Sequence, residues 1–192
     1  MDLRKVLFQY RSYTPIPLLI AILIWAKPSA ASMIGGFALT LLGENLRLWG
    51  VRHAGGATRT TGIPGAGVEL ITHGPFAHVR NPLYLGNFIV CLGLCVMASA
   101  WMPWMLLVFI VVFALQYGAI VSFEEENLRR HFGPIYETYL AAVPRFLPRI
   151  RPFQPQTSSR MPWRRALTIE KNTLLSIAAV ALAILLRWKF GQ

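Results

Sequence analysis

The stretch HVRNPLYLGNFIVCLGLCVMASAW, residues 78–101, places ionisable side chains and a proline directly before a long apolar run. From Leu83 to Trp101 no residue is charged, and about 20 apolar residues form a helix that crosses a bilayer. Pro82 suits the first turn of that helix, because its missing N–H has no intrahelical partner there. We therefore predict a membrane-spanning helix that begins at a cluster of polar side chains.

The composition of the whole chain is typical of a membrane protein. Of its 192 residues 55% are hydrophobic and 14% charged, whereas charged residues make up about 25% of an ordinary soluble domain. The net charge of +11 would also suit a nucleic-acid partner, but most basic residues lie in short segments beside apolar runs. We therefore expect membrane lipids as partners, and no nucleic acid.

Five apolar runs predict five membrane-spanning helices, which we number in chain order as spans one to five. The runs cover residues 16–26, 33–49, 83–101, 103–123 and 172–188. Because no segment shows the alternation of apolar and polar residues that is typical of strands, we predict an all-α integral membrane protein. The glycine-rich segment 55–67 lacks the strand and helix context of a dinucleotide-binding loop, and we expect a flexible connector there.

Span one is short, with 11 residues. Either the segment 6–13 lengthens it, or it is a tilted or partly re-entrant helix that pairs with span two. Arg4 and Lys5 before it, and the small residues 28–31 after it, imitate a secretory signal peptide. We expect a retained signal anchor.

The basic residues predict the orientation of the spans, because cytoplasmic loops carry an excess of Lys and Arg. The N-terminal segment and the two large loops hold most of them: Arg4, Lys5, Arg11, Arg52, Arg59, Arg80, Arg129, Arg130, Arg145, Arg149, Arg151, Arg160, Arg164, Arg165 and Lys171. The opposite side has Lys27, Arg187 and Lys189. We therefore place the N-terminus and both large loops in the cytoplasm and the C-terminus outside.

Spans three and four are predicted to form an antiparallel hairpin that turns at WMPW, residues 101–104. The start of span three and the end of span four then emerge side by side. This brings together seven polar side chains: His78, Arg80, Asn81, Tyr84, Glu124, Glu125 and Glu126. Such a mixed-charge cluster suits a zwitterionic ligand with hydroxyl groups.

A second interpretation gives these side chains no ligand. Arg80 would be a cytoplasmic anchor, Tyr84 an interfacial aromatic residue, and the acids a helix end solvated by lipid headgroups. Acids at the C-terminal end of a helix, however, oppose the helix dipole. Ionisable residues at membrane depth are also usually functional.

Three motifs resemble one family of membrane enzymes. They are HGPFAHVRNPLYLGN at 73–87, FEEENLRRHFGPIYETYL at 123–140 and VPRFLPR at 143–149, and LLGENLRLWG at 41–50 adds to them. Together they resemble the isoprenylcysteine carboxyl methyltransferase and phospholipid methyltransferase group of integral membrane enzymes. The resemblance extends from about Leu41 to Pro148.

The resemblance implies a function and a site. S-adenosylmethionine would be the methyl donor, bound at the cytoplasmic ends of the central helices, and a lipophilic acceptor would enter from the bilayer. By position, the residues of the cofactor pocket would be His73, Gly74, His78, Arg80, Asn81, Pro82, Tyr84, Gly86, Glu124 and Glu125. Asn81 stands where the family usually has histidine, and its amide can still donate and accept hydrogen bonds.

Tyr84 and Arg145 are the candidate catalytic residues under this resemblance. Two roles fit Arg145: a bidentate contact to an acceptor carboxylate or phosphate, or a headgroup anchor. No Ser-His-Asp, Cys-His or metal-ligand set is recognisable, and we predict no metal. Methyl transfer from a sulfonium tolerates this, because it requires alignment and desolvation more than a dedicated acid or base.

Other polar residues are given structural roles. Glu44 and Arg47 are three residues apart in span two and are expected to pair on one helix face. Tyr136 and Tyr139 suggest an interfacial helix that caps the pocket. His53 and His131 are expected to be ordinary loop residues.

We divide the chain into an N-terminal helical hairpin at 1–52, a methyltransferase core at 53–150, and a basic loop with a C-terminal span at 151–192. The acceptor stays open between an isoprenylcysteine-type carboxylate, a phospholipid amine and a hydrophobic thiol. The rival hypothesis is a non-catalytic membrane scaffold or small transporter subunit whose charged cluster binds headgroups.

Overall fold

The computed structural model describes residues 2–55, 69–153 and 160–191, and within them the chain is all-helical. The elements are α1 (Leu3–Gln9), α2 (Ile16–Ile24), α3 (Ala30–Ala54), a 3₁₀ turn (Gly74–Ala77), α4 (Pro82–Ala98), α5 (Trp104–Phe132), α6 (Pro134–Ala142) and α7 (Trp163–Phe190). Most of the segment predicted as a flexible connector, residues 56–67, lies outside the described residues.

The N-terminal run is divided between two short helices. Of the two alternatives for span one, the segment 6–13 does continue the run, but through turns at 10–15 rather than as one helix. At 1.5 Å per residue, the 9 residues of α2 extend about 14 Å, which is too short to cross a bilayer alone. Pro15 explains the break, because proline has no N–H to donate within a helix.

The most extensive helix contact joins α3 to α4. A Cβ added at Gly36 would lie 2.4 Å from the carbonyl oxygen of Gly93, and one added at Gly43 would lie 2.8 Å from that of Gly86. Two pairs of glycines, each spaced by seven residues, therefore let the two backbones touch. This contact between α3 and α4 was not predicted from the sequence.

Aromatic rings join α4 to α5. Phe88 lies 5.4 Å from Phe109 and 5.1 Å from Phe113, and Tyr84 lies 5.0 Å from Tyr117, measured between ring centroids. These contacts place the first half of α4 beside the first half of α5, with Tyr84 opposite Tyr117 near the middle of α5.

The acids of α5 do not end the helix, and that expectation was wrong. The helix continues to Phe132, and its last turn holds Arg129, Arg130 and His131. Basic residues at a C-terminal end complement the helix dipole. The three glutamates thus lie about two turns inside a helix of 29 residues.

Two helices in the described part of the chain, α5 and α7, are long and apolar enough to cross a membrane. Helix α4 is apolar but has 17 residues, and α3 has 25 residues but carries Glu44, Arg47 and Arg52. Helix α7 begins at Trp163, two turns before the predicted start of span five. The arrangement of five spans stays a prediction.

Candidate functional site

Glu125 is the meeting point of three segments. Its side chain is 3% exposed, and Oε1 lies 3.0 Å from Nη2 of Arg80. The same oxygen accepts a hydrogen bond from Nε of Arg145 at 3.1 Å. Arg145 also bonds the second carboxylate oxygen through Nη2, so that contact is bidentate. A buried carboxylate requires such partners. The structure therefore brings together three residues that the sequence analysis assigned to the site.

Arg80 and Asn81 tie the loop before α4 to the segment that follows α6. Nη1 of Arg80 donates to the carbonyl oxygens of Leu140 and Val143, both at 2.9 Å. The side-chain amide of Asn81 donates to the carbonyl oxygen of Arg145 at 3.1 Å. These bonds satisfy the last carbonyls of α6 and hold Arg145 over Glu125.

Helix α6 and the segment after it close over the 3₁₀ turn. The Tyr139 hydroxyl donates to the carbonyl oxygen of Phe76 at 2.7 Å, and the backbone N–H of Arg149 donates to the carbonyl oxygen of His78 at 2.9 Å. The His78 ring is 2.9 Å from the carbonyl oxygen of Arg149. Burial raises the pKa of Tyr136 and Tyr139, which keeps both neutral. The helix predicted around Tyr136 and Tyr139 is present as α6, and its role as a cap over a cofactor pocket stays a prediction.

Tyr84 and Glu124 form a second contact between α4 and α5. The Tyr84 hydroxyl donates to Oε1 of Glu124 at 2.6 Å. Since successive helical residues are rotated by about 100°, Glu124 and Glu125 meet different partners. A phenol that is hydrogen-bonded to a carboxylate can take up or release a proton. The Tyr84–Glu124 pair joins α4 to α5 directly beside Glu125.

Glu126 faces the N-terminal helix. Arg4 of α1 lies 3.0 Å from Oε2 of Glu126, and the Phe8 ring lies 5.7 Å from the Phe123 ring. Glu126 also pairs with Arg130 one turn on. Both arginines are exposed. This third glutamate therefore docks α1 on α5 at the surface.

His73 and Gly74 lie against the end of α3. Gly74 has φ +60°, and an added Cβ there would lie 2.5 Å from the His53 ring. Glycine is therefore required both by the backbone conformation and by the lack of space. The rings of His53 and His73 are 5.6 Å apart. Partial burial and the neighbouring His53 lower the pKa of His73, which favours its neutral form. His53 belongs to α3 and is not the ordinary loop residue that we expected.

Pro82 and Gly86 have structural positions in α4. Pro82 is buried at the first turn of the helix, as predicted. Gly86 faces α3, where an added Cβ would lie 2.5 Å from Cγ of Arg47. The contacts of Gly86 are thus with another helix.

Glu170 of α7 and Asn87 of α4 are two polar residues that were not predicted from the sequence. Glu170 is 1% exposed, and its Oε2 lies 2.8 Å from Nη2 of Arg47. Arg47 also lies 3.4 Å from Glu44, which confirms the predicted pair, and it donates to Oδ1 of Asn87. One signal was available, because Glu170 is the single acidic residue after Glu137.

No group of three or more His, Cys, Asp and Glu side chains among the described residues is placed to hold a metal ion. The site instead combines a buried carboxylate between two arginines with a tyrosine–carboxylate pair. Such a set can bind a ligand that carries an anion, a cation and hydroxyl groups.

Comparison with known proteins gives the family. Residues 31–135 match the model of the phospholipid methyltransferase family, which is more than half of the chain. The chain belongs to this family. The match covers the motifs at 41–50 and 73–87 and the first part of the motif at 123–140, and it confirms the resemblance drawn from them. It ends before Arg145 and α7. Together with the two long apolar helices, membership of the phospholipid methyltransferase family indicates a membrane protein.

Two curated relatives carry other names. The nickel-cobalt-cadmium resistance protein NccN of Alcaligenes xylosoxydans xylosoxydans is 30% identical over 130 residues, which are 68% of this chain and 56% of that protein. The cobalt-zinc-cadmium resistance protein CzcN of Cupriavidus metallidurans is 28% identical over 135 residues, with coverages of 70% and 56%. The chain therefore spans about half the length of these relatives. No solved structure matches it.

Proposed function

We propose that this phospholipid methyltransferase family member transfers a methyl group from S-adenosylmethionine to a lipophilic acceptor at the cytoplasmic face of a membrane. The observation that carries the proposal is the convergence of Arg80, Arg145 and Glu125 beside the Tyr84–Glu124 pair. Four of these five residues lie within the part of the chain that matches the family.

The donor groups in this region fit the cofactor. Nε of Arg80 and Nε2 of His73 are buried and have no hydrogen-bond partner among the residues that the structure describes. A buried polar atom without a partner costs about 1–3 kcal/mol, so a ligand that supplies one is favoured. Arg80 would face the amino-acid carboxylate of the cofactor, and Glu125 with Glu124 its ammonium and hydroxyl groups.

The cofactor would supply a methyl group that its sulfonium already activates. The protein then has to align the acceptor, exclude water and manage one proton. A neutral amine or thiol releases a proton when it is methylated, whereas a carboxylate does not. Glu124 accepts a hydrogen bond from Tyr84 at 2.6 Å, so this pair is suited to receive that proton.

Arg145 would support the site from its outer side. Its side chain is 39% exposed, against 12% for Arg80, although both bind Glu125. One edge of the guanidinium therefore holds Glu125 while the other is open to an anionic group of an acceptor. This arrangement favours the first of the two roles left open for Arg145 above, a contact to an acceptor carboxylate or phosphate, over a headgroup anchor.

The acceptor remains one of three classes: a phospholipid amine, an isoprenylcysteine-type carboxylate or a hydrophobic thiol. The names of the two relatives refer to resistance to nickel, cobalt, cadmium and zinc. They keep a second candidate open, a membrane scaffold or transporter subunit that contributes to metal resistance.

Binding of S-adenosylhomocysteine separates these candidates. We expect the purified protein in lipid-supplemented detergent to bind it and to unfold at a higher temperature. A ligand at 100 times its Kd stabilises the folded state by about 2.7 kcal/mol. Isothermal titration and a thermal shift assay measure both effects, with adenosine as the control ligand. A folded sample that shows neither effect at millimolar ligand would favour the scaffold or transporter.

The proposed orientation is tested by labelling. In a variant that lacks Cys91 and Cys95, we expect a cysteine at Arg151 to resist an impermeant thiol reagent in intact cells, because the basic loop is cytoplasmic. A cysteine at Gly191 should react. The reverse pattern would show that the site faces outward.

A further inference from the structure

A series of side-chain contacts, which we call the path, leads from the buried charges of α3 and α7 to the Tyr84–Glu124 pair. Glu170 is 1% exposed and lies 2.8 Å from Nη2 of Arg47. Arg47 in turn donates through Nη1 to Oδ1 of Asn87 on α4. The stem of Arg47 passes α4 at Gly86, where any side chain would displace it. Glu170 thus reaches α4 through one guanidinium.

The path continues from α4 to α5 and back. The side-chain amide of Asn87 donates to the Tyr117 hydroxyl at 3.4 Å. The Tyr117 ring stands edge-on to the Tyr84 ring, with centroids 5.0 Å apart. The Tyr84 hydroxyl ends the path at Glu124. Four helices are therefore linked, from the first turns of α7 to the candidate catalytic tyrosine.

The charges at the start of the path determine how the Asn87 side-chain amide is oriented. Because a guanidinium only donates, Arg47 fixes Oδ1 of Asn87 toward itself and turns the amide NH₂ toward Tyr117. Glu170 holds the guanidinium in place from the other side. Buried ion pairs are expensive in apolar surroundings and are weak evidence for stability alone. Their effect here is to fix the orientation of neutral groups beside the site.

We propose that Glu170 and Arg47 are positioning residues that set the orientation of Tyr84 through Asn87 and Tyr117. Helix α7, which lies outside the residues that match the family, is then a working part of the enzyme. The catalytic consequence rests on the proposed function, whereas the effect on the orientation of Tyr84 does not.

Fluorine NMR tests the path without any acceptor. The chain has six tyrosines, and fluorotyrosine signals can be assigned by single Tyr→Phe changes. In the full-length protein in detergent, we expect Glu170→Gln to shift the signals of Tyr84 and Tyr117 and to leave that of Tyr136 in place. Lys171→Gln, an exposed neighbour on α7, should shift none of the three.

An unmoved Tyr84 signal in folded Glu170→Gln protein would overturn the proposal. If that variant does not fold, Asn87→Leu breaks the same path while Arg47 keeps its pairing with Glu170. It should shift Tyr84 as well, and an unmoved signal there would be equally decisive.

Turnover gives the catalytic readout. With acceptors from the three proposed classes, we expect Glu170→Gln to lower kcat about 10-fold to 100-fold, as small misplacements near a reacting centre do. The affinity for S-adenosylhomocysteine should change less than about twofold. In a Tyr84→Phe background Glu170→Gln should have no further effect on kcat, because both changes act through one group.

Additive losses in that double variant would show a general structural role and contradict the proposal. Wild-type protein that neither binds S-adenosylhomocysteine nor methylates any acceptor would instead contradict the proposed function. The fluorine experiment would still decide whether Glu170 positions Tyr84.

Discussion

Replacing Glu125 with glutamine is expected to lower the free energy of unfolding by about 3–5 kcal/mol, the usual cost of removing one partner of a buried ion pair. Glu125 is 2% exposed, and its carboxylate neutralises Arg80 and Arg145 together. Glutamine keeps the shape but leaves two guanidinium groups without a counter-charge. Unfolding in detergent, followed by tryptophan fluorescence, measures the change.

Glu126→Gln is the matched control for this prediction. It removes a charge from the next residue of the same helix, but its partners are exposed. Exposed ion pairs contribute about 0–1 kcal/mol, so the control should lose little stability. Equal losses of stability in the two variants would show that the buried ion pairs of Glu125 contribute no more than the exposed ion pairs of Glu126. Glu125→Gln should also weaken the binding of S-adenosylhomocysteine, whereas Glu126→Gln should not.

Much of the candidate site could be predicted because its residues lie in recognisable sequence motifs. Proline at the start of α4 and the acids of α5 indicated which parts of the two helices bring polar side chains together. The Glu44–Arg47 pair followed from helical spacing alone. Partners could not be predicted in the same way, because three adjacent glutamates point in three directions and the sequence does not say what lies there.

Two features of the fold could not be predicted from hydropathy. An apolar run gives the length of a helix but not its neighbour, so the glycine contact of α3 with α4 was missed. The same limit applies to α7, since apolar composition does not say which face turns inward. Hydropathy likewise left two alternatives for span one, and it did not show that turns at 10–15 separate α1 from α2, where Pro15 has no N–H for a helical hydrogen bond.

The glycine contact supports the second large prediction, that Gly36→Ala destabilises the protein. The new Cβ would lie 2.4 Å from both the carbonyl oxygen of Gly93 and the backbone nitrogen of Met97. Backbone atoms cannot move aside as a side chain does, so α3 and α4 must separate. Overpacking of this kind costs about 1–3 kcal/mol, and we expect the upper end of that range.

Gly35→Ala is a control on the same turn of α3. An added Cβ there has no neighbour within 4 Å, so only the backbone entropy of glycine is lost. That change should be neutral or stabilise the protein by about 0.5–1 kcal/mol. Thermal unfolding of the two variants in one detergent tests the difference. If Gly36→Ala were as stable as Gly35→Ala, the close approach of α3 and α4 would be wrong.

Gly36→Ala should also weaken the site at a distance. Tyr84 and Asn87 lie on α4, about two turns before Gly93. To escape the new methyl group, α4 has to shift or tilt as a whole. Either movement separates Tyr84 from Glu124 and Asn87 from Arg47, contacts that tolerate displacements of a few tenths of an ångström. We therefore expect a loss of S-adenosylhomocysteine affinity in Gly36→Ala protein that is still folded, and unchanged affinity in Gly35→Ala. A destabilised variant with unchanged affinity would show that the glycine contact holds the helices together without setting the geometry of the site.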